Sequence, residues 1–477
     1  MSCDAPVLPL RFVQRGLSAD PGPFLADQPS CRVEPLDNNY SYAFDYSSPH
    51  GILLFPTTAA PHVLLASHRG AYLPSNSSGL GTVDEENINK FFQENSAKKI
   101  GLLSQDYWVH VTDSCNLGCF YCYIPEIEKF RNDASDFMSH ETAELVLQRV
   151  FEDATSRGVR RLHFKFAGGE PSLAIESIRA FCLLADRVFD PLVYHVSFGM
   201  ITNGVTLPKQ LIDILVTRQF NVSFSIDGVE RYHDRSRHRG ATKSNEGTWQ
   251  TVIDNANVLQ ANGIAPFFLH TLTTANIEGV AELQSFLSGR NWNFRISLMR
   301  LNNRPSGDQK ERFINVLAEL FEKTANELPL KTRFERHLQF AEWNIRRKKT
   351  MACGSGRNYL AVDAKGGLSS CQMAATPVAN LATATIGDAR QTLTNSEATK
   401  YLVNPGLRTA GCSACFFKHT CAGGCPQHTA NVYSTINHVS PWCEVYGSLY
   451  PIYVKAAATH LYRRLKFMQN HGKNQSP

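Results

Sequence analysis

Ten of the chain's 13 cysteines fall into two groups whose spacing suits metal or redox chemistry. The first group is Cys115, Cys119 and Cys122, within the sequence CNLGCFYC. A structural zinc site takes four protein ligands, and a [4Fe–4S] cluster held entirely by protein takes four cysteines. Three thiolates on one loop therefore predict a four-iron cluster with one iron open to an exchangeable ligand. The alternative is a zinc site completed by His110 or His140.

The second group lies toward the carboxy terminus and contains seven cysteines. They are Cys353, Cys371, Cys412, Cys415, Cys421, Cys425 and Cys443. Seven ligands cannot complete two four-cysteine sites, so one site must lack a ligand or recruit one from elsewhere. A zinc ribbon is the alternative, because the C-x2-C spacing of Cys412 and Cys415 is also found in zinc sites.

Composition narrows the class of protein. The chain has 477 residues, 43% of them hydrophobic and 19% charged, which predicts roughly three globular domains. It contains no apolar run near the ~20 residues of a membrane span, and its amino terminus shows no secretory signal pattern. A net charge of +5 is too small to indicate nucleic-acid binding. We therefore expect a cytoplasmic protein without a membrane or nucleic-acid partner, whose cysteines bind metal rather than form disulfides.

Between the two cysteine groups, short apolar runs alternate with helical patterns. Six predicted strands are Tyr107–Thr112, Arg161–Phe166, Val193–Thr202, Phe220–Ile226, Pro266–Thr273 and Phe294–Met299. The intervening predicted helices begin near Ser139 and continue at Glu176–Phe189, Pro208–Arg218, Thr248–Asn262 and Ile277–Ser288. Parallel neighbours need such crossovers. The fold class predicted is therefore α/β, a partial (β/α)6 TIM-like barrel.

Glycine-rich and polar segments follow the predicted strands. Ala167-Gly168-Gly169-Glu170-Pro171 follows the second strand, Thr202-Asn203-Gly204 the third, and Ser225-Ile226-Asp227-Gly228 the fourth. Parallel α/β folds place their sites at these carboxyl ends. Each segment alone is typical of an ordinary β/α turn, but their order behind the cysteine loop indicates one shared site.

These segments together resemble the radical S-adenosylmethionine (SAM) superfamily over roughly residues 107–300. The similarity consists of the CxxxCxxC loop, an aromatic residue before its last cysteine, and a GGEP segment. It implies that the reduced cluster cleaves SAM to a 5′-deoxyadenosyl radical, which removes a hydrogen atom from the substrate. By this resemblance, the cofactor-binding residues are Tyr121, Gly168, Gly169, Glu170, Asn203, Ser225, Asp227 and Arg237, the last as a carboxylate partner.

The seven-cysteine string resembles the SPASM extension of radical enzymes, an iron–sulfur domain with two auxiliary [4Fe–4S] clusters. The resemblance assigns one cluster to Cys412, Cys415, Cys421 and Cys443, and the other to Cys353, Cys371 and Cys425. The second cluster then has a fourth position for water, a substrate group, Cys31 or Cys182. Because Cys182 lies in an apolar helix, a buried structural thiol is the better prediction for it, and Cys3 is predicted to be a free thiol in a tail.

The chain is expected to divide into five parts. They are a small β-rich module at 1–105, the radical SAM barrel at 106–310, a helical linker at 311–350, the SPASM domain at 351–450, and a helix and tail at 451–477. The first module, with a predicted helix at Asp84–Asn95, is a candidate for recognition of a leader peptide. The alternative is that it only covers the open side of the barrel.

By the same resemblance, the leading substrate is a precursor peptide or protein, and the predicted product a side-chain crosslink, C–C or thioether. Formylglycine formation, as in sulfatase-maturating enzymes, is disfavoured because Gln372 follows Cys371 where those enzymes carry an aspartate. A small-metabolite substrate remains the second alternative, while a simple electron carrier would leave the GGEP segment unexplained. A flavodoxin or ferredoxin is the expected electron donor. No catalytic base is assigned, although Asp227 and His270 lie at strand ends.

Overall fold

A computed structural model describes most of the chain beyond residue 103. The described residues are 31–36, 40–45, 53–56, 65–66, 72–73, 104–124, 136–239, 246–300, 304–343, 349, 353–374, 376–395, 410–413, 415 and 417–471. The predicted helix at Asp84–Asn95 and the tail thiol Cys3 lie outside these residues.

Ten strands form one sheet around which the described chain is organised. In chain order they are β6 (Ser104–Thr112), β7 (Arg161–Gly168), β8 (His195–Thr202), β9 (Asn221–Ser225), β10 (Phe267–Leu272), β11 (Asn293–Leu298), β12 (Leu338–Phe340), β13 (Tyr359–Val362), β14 (Gly367–Ser369) and β15 (Ala379–Asn380). Their spatial order is β12-β11-β10-β9-β8-β7-β6-β13-β14-β15. The strands from β12 to β13 are parallel to their neighbours, and β14 and β15 add an antiparallel edge.

Helices follow the barrel strands, as the sequence predicts, and further helices lie in the carboxy-terminal region. They are α1 (His140–Arg157), α2 (Ile175–Val188), α3 (Lys209–Thr217), α4 (Glu230–Ser236), α5 (Trp249–Ala261), α6 (Val280–Gly289), α7 (Gly307–Glu327), α8 (Phe334–His337), α9 (Ile386–Asn395), α10 (Ala410–Ser413), α11 (Pro426–Tyr433) and α12 (Cys443–His471). The start of α1 is fixed by Ser139, whose hydroxyl accepts the Thr142 N–H at 3.1 Å. None of the described helices is long and apolar enough to cross a membrane.

Alternating positions of each strand face the helices or the barrel interior. On β7, Phe164 and Phe166 are fully buried, and their rings contact that of Phe181 on α2 at 5.2 and 5.4 Å. Because side chains alternate along a strand, Lys165 between them points to the opposite side. The apolar core thus lies between sheet and helices, and the polar positions face inward. The partial barrel of the α/β class is confirmed.

Four short strands extend the predicted six-stranded sheet to ten, with β12 at one edge and β13, β14 and β15 at the other. The linker expected at 311–350 is not one helix, because after α7 and the single turn α8 the chain forms β12, which pairs with β11. At the other edge β13, from the carboxy-terminal cysteine region, pairs in parallel with β6. The last helix also begins earlier than expected, at Cys443 rather than 451. These short strands carry too little periodicity to be predicted.

The amino-terminal part, which the sequence predicts to be β-rich, contains five described β-strands. Here β1 (Cys31–Pro35), β2 (Tyr40–Asp45) and β3 (Leu53–Pro56) form an antiparallel sheet in the order β1-β2-β3. A separate pair joins β4 (Leu65–Ala66) to β5 (Tyr72–Leu73).

Asp153 links the barrel to the carboxy-terminal region. Its side chain on α1 is 3% exposed, and its oxygens lie 3.0 Å from Arg157 and 3.0 Å from Arg390 of α9. The Tyr107 hydroxyl on β6 donates to the same carboxylate at 3.2 Å. One buried negative charge therefore balances two cations from different parts of the chain.

Replacing Asp153 with Asn should destabilise the protein strongly, because Arg157 and Arg390 lose their shared counter-charge. Breaking a buried pair in this way costs about 3–5 kcal/mol, which a urea unfolding midpoint would register. The control is Asp186→Asn, since Asp186 is 53% exposed and pairs with Arg218 at the surface, where such pairs contribute about 0–1 kcal/mol. Equal shifts in the two variants would contradict the anchoring role of Asp153.

Candidate active site and cysteine groups

Cys115, Cys119 and Cys122 lie on the loop that leaves β6 at the carboxyl end of the barrel. The Gly118 N–H donates to the His238 carbonyl at 3.0 Å, which holds this loop against the segment after α4. Burial, followed by the charges of Glu170 and the two neighbouring thiols, raises the pKa of Cys115 to about 12. The thiol therefore holds its proton in the metal-free protein, and a bound metal would displace it.

Gly169 packs directly against the backbone of the cysteine loop. Its N–H donates to the Thr112 carbonyl and the Glu170 N–H to the Ser114 carbonyl, both at 2.8 Å. A Cβ atom on Gly169 would lie 2.1 Å from the Ser114 carbonyl oxygen, and Gly168 has a φ of +113°. Glycine is thus required at both positions for β7 to approach the loop this closely.

Glu170 is buried and fully engaged within the protein. One carboxylate oxygen accepts from the Ser172 N–H at 2.9 Å and the Thr202 hydroxyl at 2.7 Å, and the other accepts from the Asn203 N–H at 2.6 Å. Burial raises the pKa of Glu170, and these hydrogen bonds oppose that rise. The carboxylate joins the ends of β7 and β8, which makes it a positioning group.

Asn203 connects the end of β8 to the cysteine loop. Its amide nitrogen donates to Asn116 Oδ1 at 2.7 Å and lies 3.9 Å from the sulfur of Cys115. Asn116 in turn donates to the Thr206 hydroxyl at 3.1 Å. Asn116 is a site residue that the sequence does not predict, because its position inside the cysteine loop carries no signal of this cross-strand contact. Ser225 is half-buried at the end of β9, one strand further along the sheet.

Tyr121, Asp227 and Arg237 form a hydrogen-bonded group beside the cysteine loop. The Tyr121 hydroxyl donates to Asp227 and accepts from Arg237, and the Arg237 guanidinium lies 3.7 Å from the Asp227 carboxylate. Asp227 Oδ1 and Arg237 Nε are buried without a hydrogen-bond partner among the described residues. Such atoms are expected to meet polar atoms of a bound ligand.

His233 and Thr248 support this group from the helix layer. The His233 ring lies 3.4 Å from the Asp227 N–H and 3.1 Å from the Thr248 hydroxyl, which donates to the Arg237 carbonyl at 2.9 Å. His270 also faces the helix layer, and its Nδ1 lies 2.9 Å from the Ile226 carbonyl. Burial lowers the pKa of both histidines. His270 thus lies outside the barrel interior, and its position favours a structural role over that of a catalytic base.

The structure brings Cys412, Cys415, Cys421 and Cys443 together around one cavity. All four thiols line it, with Tyr446 and Ser440. Burial, then the charges of Cys421, Cys415 and Cys412, raise the pKa of Cys443 well above its usual range. The first three cysteines come from α10 and the turns after it, and Cys443 begins α12, so the set depends on the tertiary fold.

Cys353, Cys371 and Cys425 form the other carboxy-terminal set. The pKa of Cys371 is raised to about 11 by burial and by the charges of Cys425 and Cys353. The Cys371 sulfur lies 3.7 Å from the Tyr359 hydroxyl and accepts the Met373 N–H at 3.4 Å. Among the described residues, this set therefore contains three cysteines.

The remaining cysteines do not complete that set within the described side chains. Cys182 is buried in the helix layer on α2, where burial raises its pKa to about 12. Cys31 begins β1, but its side chain is not among those described. In the described part of the chain, no three His, Cys, Asp or Glu side chains converge closely enough to hold a single metal ion. Cysteines of an iron–sulfur cluster bind different iron atoms, which keeps their sulfurs farther apart than the ligands of one ion.

Comparison with known proteins identifies the domain that carries the first cysteine group. Residues 109–287 match the Radical SAM superfamily, so the chain contains a radical SAM domain. The cysteine-type anaerobic sulfatase-maturating enzyme of Clostridium novyi (strain NT) is 23% identical over 185 residues, which cover 38% of this chain and 47% of that protein. The probable GTP 3′,8-cyclase of Methanosarcina mazei is 25% identical over 241 residues, 48% of this chain and 64% of that protein. The chain thus spans less than two thirds of either relative.

A solved structure extends the similarity beyond this domain. Native anSMEcpe with bound AdoMet and Cp18Cys peptide superimposes with a TM-score of 0.57 and 16% identity, covering 77% of this chain and 99% of that one. At this identity the likeness establishes a shared fold. The likeness extends beyond the matched domain, because 77% of the chain is more than residues 109–287.

Replacing Gly169 with Ala should disturb the first cysteine group while sparing the carboxy-terminal ones. The added methyl group would meet the Ser114 and Asp113 carbonyl oxygens at 2.1 and 2.4 Å, so the loop must move. Iron analysis of the reconstituted protein should show a loss of about four irons, one cluster. Gly289→Ala is the control, because nothing lies within 4 Å of its Cβ position. Unchanged iron content in Gly169→Ala would contradict a close contact with the loop.

Proposed function

We propose that this chain is a radical SAM maturase that removes a hydrogen atom from a peptide or protein and joins two side chains, by a C–C or thioether bond. The single observation that carries the proposal is the setting of the cysteine loop. The backbone that leads into Cys115 packs directly on Gly168 and Gly169, and the Tyr121–Asp227–Arg237 group presents unpartnered buried atoms beside the same loop. The radical SAM domain supports the chemistry, and the peptide-bound structure of similar fold supports the substrate class.

The residues present fit a [4Fe–4S] cluster and SAM. Cys115, Cys119 and Cys122 would hold the cluster, and the strand-end backbone at Gly168 and Gly169 would bind the methionine amino group. Asn203, Ser225 and Asp227 would contact ribose or carboxylate, with Arg237 as the carboxylate partner. When bound, the cluster and SAM would supply a 5′-deoxyadenosyl radical that takes a hydrogen atom from the substrate. Glu170 and Tyr121 keep the strand ends and loop in place for it.

The carboxy-terminal cysteines would hold two auxiliary [4Fe–4S] clusters. Cys412, Cys415, Cys421 and Cys443 share one cavity, and Cys353, Cys371 and Cys425 are electrostatic neighbours. The latter set leaves a fourth position for water or a substrate group. Closing a crosslink removes two hydrogens from the peptide: one leaves as a hydrogen atom to the 5′-deoxyadenosyl radical, and the other leaves as a proton to solvent and an electron. An auxiliary cluster is the proposed acceptor of that electron. A flavodoxin or ferredoxin would supply the electron that starts each turnover.

Formylglycine formation is the second candidate, because a sulfatase-maturating relative and a solved anSMEcpe structure are similar to this chain. Oxidising a Ser or Cys side chain to an aldehyde also requires a base for the hydroxyl or thiol proton. Gln372, next to Cys371, has an amide that cannot accept a proton at neutral pH. The Cys371 thiol donates to its Oε1 at 3.4 Å. Because the sulfatase-maturating pattern places an aspartate at this position and the chain has Gln372, crosslinking is the better match.

The antiparallel sheet β1-β2-β3 is a proposed leader-peptide site. Its outer strands β1 and β3 each pair on one side with β2, and an extended leader could add a strand at an edge. The substrate core would then reach the barrel while the leader stays bound.

Replacing Cys115, Cys119 and Cys122 together with Ala should abolish SAM cleavage. The reconstituted wild-type protein should contain about 12 irons, and the triple variant about 8, from the two auxiliary clusters. With dithionite and SAM, only the wild type should release 5′-deoxyadenosine, measured by liquid chromatography. A matched control is Cys182→Ala, which removes a buried thiol from the helix layer and should keep about 12 irons. Zinc in place of iron, or cleavage by the triple variant, would overturn the proposal.

Co-expression with short open reading frames beside its gene should yield a peptide lighter by two hydrogens. Tandem mass spectrometry should find no backbone fragments between the two joined residues, because the crosslink keeps them connected. Oxidation of Ser to formylglycine gives the same mass loss, so the product is also treated with a hydrazide. A hydrazide adduct would favour formylglycine formation over the crosslink. An unmodified set of peptides, together with turnover of a small metabolite, would reject the peptide substrate class.

A further inference from the structure

We infer that the barrel interior contains a binding site for a carboxylate of the substrate, formed by Arg295 on β11 and Lys165 on β7. The inference deepens the proposed function, on which it rests, by naming a chemical feature of the peptide. It requires that both cations face the interior, that they face each other, and that protein groups leave them available.

Arg295 faces the barrel interior. Its strand neighbours Phe294 and Ile296 are fully buried on the helix side, where the Phe294 ring contacts that of His337 on α8 at 5.4 Å. Because side chains alternate along β11, Arg295 points the other way. Its Nε is buried without a hydrogen-bond partner, and the described residues offer the guanidinium no ion pair within 4.0 Å. A buried guanidinium without a counter-ion destabilises the folded protein unless an anion binds to it.

Lys165 faces the interior from the other side of the barrel. Its ammonium group lies 5.1 Å from the centroid of the Trp108 ring on β6, a cation–π contact that leaves its hydrogen-bond donors free for other groups. Among the described residues it has no carboxylate within salt-bridge distance. Burial, and then the charge of Arg295, lower the pKa of Lys165.

The two cations face each other across the barrel. In the sheet order, β7 and β11 are four strand spacings apart, about 19 Å along the sheet. The charge of Arg295 nevertheless lowers the pKa of Lys165, so the barrel curves enough to bring the two interior side chains near each other. A ligand between them can therefore contact both.

The neighbouring charges leave an excess of positive charge. The negative charge of Asp106 on β6 raises the pKa of Lys165 and so stabilises its charged form. Glu342 is already paired with Arg300 at 3.0 Å. Arg300 is also influenced by Cys425, a proposed cluster ligand, so Glu342 and Cys425 balance Arg300, and Lys165 and Arg295 are left with one neighbouring carboxylate, Asp106. One further negative charge would neutralise the group.

A carboxylate is the anion that this pair fits. A guanidinium presents a planar fork of donors that matches a carboxylate, and an ammonium group adds a point charge. The cofactor's own carboxylate has a different candidate partner, Arg237, beside the cysteine loop. The site is therefore assigned to the substrate, as an Asp or Glu side chain or as a carboxy terminus.

Three small probe molecules test the carboxylate site on the reconstituted holoenzyme with SAM present. N-acetylglutamate α-amide carries a side-chain carboxylate, N-acetylglutamine carries an α-carboxylate, and N-acetylglutamine α-amide carries neither. Dissociation constants are measured by ligand-observed NMR. At least one acid should bind about ten- to hundredfold more tightly than the neutral amide, the range expected for a charged hydrogen bond. Whichever acid binds identifies the source of the carboxylate, and equal binding of all three probes would overturn the site without any variant.

Variants then locate the site. Arg295→Gln should bind the acid about as weakly as the neutral amide, and Arg295→Lys should retain part of the preference. Arg218→Gln is the control, because Arg218 pairs with Asp186 on the outer surface. Wild-type acid affinity in Arg295→Gln would reject the assignment. A weaker affinity of that variant for SAM, measured by the same method, would assign the anion site to the cofactor instead.

The proposed function is tested separately by 5′-deoxyadenosine release from the wild type with dithionite and SAM. If the wild type releases it but shows no preference for either acid, the radical chemistry stands and the carboxylate site fails. If the acids bind and no 5′-deoxyadenosine appears, the proposed function fails and the inference that rests on it falls as well.

Discussion

The contact between Gly169 and the loop after β6 is the constraint on which the site depends. Two backbone hydrogen bonds of 2.8 Å join the end of β7 to that loop, and no side chain fits between them. This approach places Glu170 where its carboxylate binds the end of β8. Asn203 then reaches back to Asn116 in the cysteine loop. The ends of three strands and the loop are thereby tied into one unit before any cofactor binds, which reduces the ordering cost of binding.

The carboxy-terminal region continues the barrel sheet. Its strand β13 pairs with β6 in parallel, with Tyr359 opposite Asp106. Tyr359 contacts the Trp108 ring at 5.6 Å on one side and the Cys371 sulfur at 3.7 Å on the other. A cysteine of the three-cysteine set is therefore connected to the barrel interior through two aromatic rings. A cluster bound there would lie close to a substrate in the barrel, as the proposed loss of an electron requires.

The sequence predicts the features of this fold and site that are encoded within short windows of residues. The alternation of strands and helices, the glycines after β7 and the division of ten cysteines into groups are all visible in short windows. The contact of Tyr121 with Asp227 and Arg237 is not, since these residues are more than a hundred positions apart along the chain. The strands β12 and β13 were missed because three or four residues carry no usable periodicity. Their pairing is decided by the edges that β11 and β6 leave open.

The polarity of the barrel interior is consistent with a site that a substrate completes. The helix-facing layer is closed by aromatic residues such as Phe164, Phe268 and Phe294, all fully buried. The interior instead presents Lys165, Arg295 and Trp108, which do not pack into a closed apolar core. Charged groups left in a low-dielectric space destabilise the empty protein and favour any ligand that neutralises them. The free energy that would otherwise be lost in burying these cations is then recovered as affinity and as correct placement of the proposed peptide substrate. The radical chemistry proposed for the strand ends would require such placement, because a carbon radical reacts with whichever carbon–hydrogen bond lies nearest.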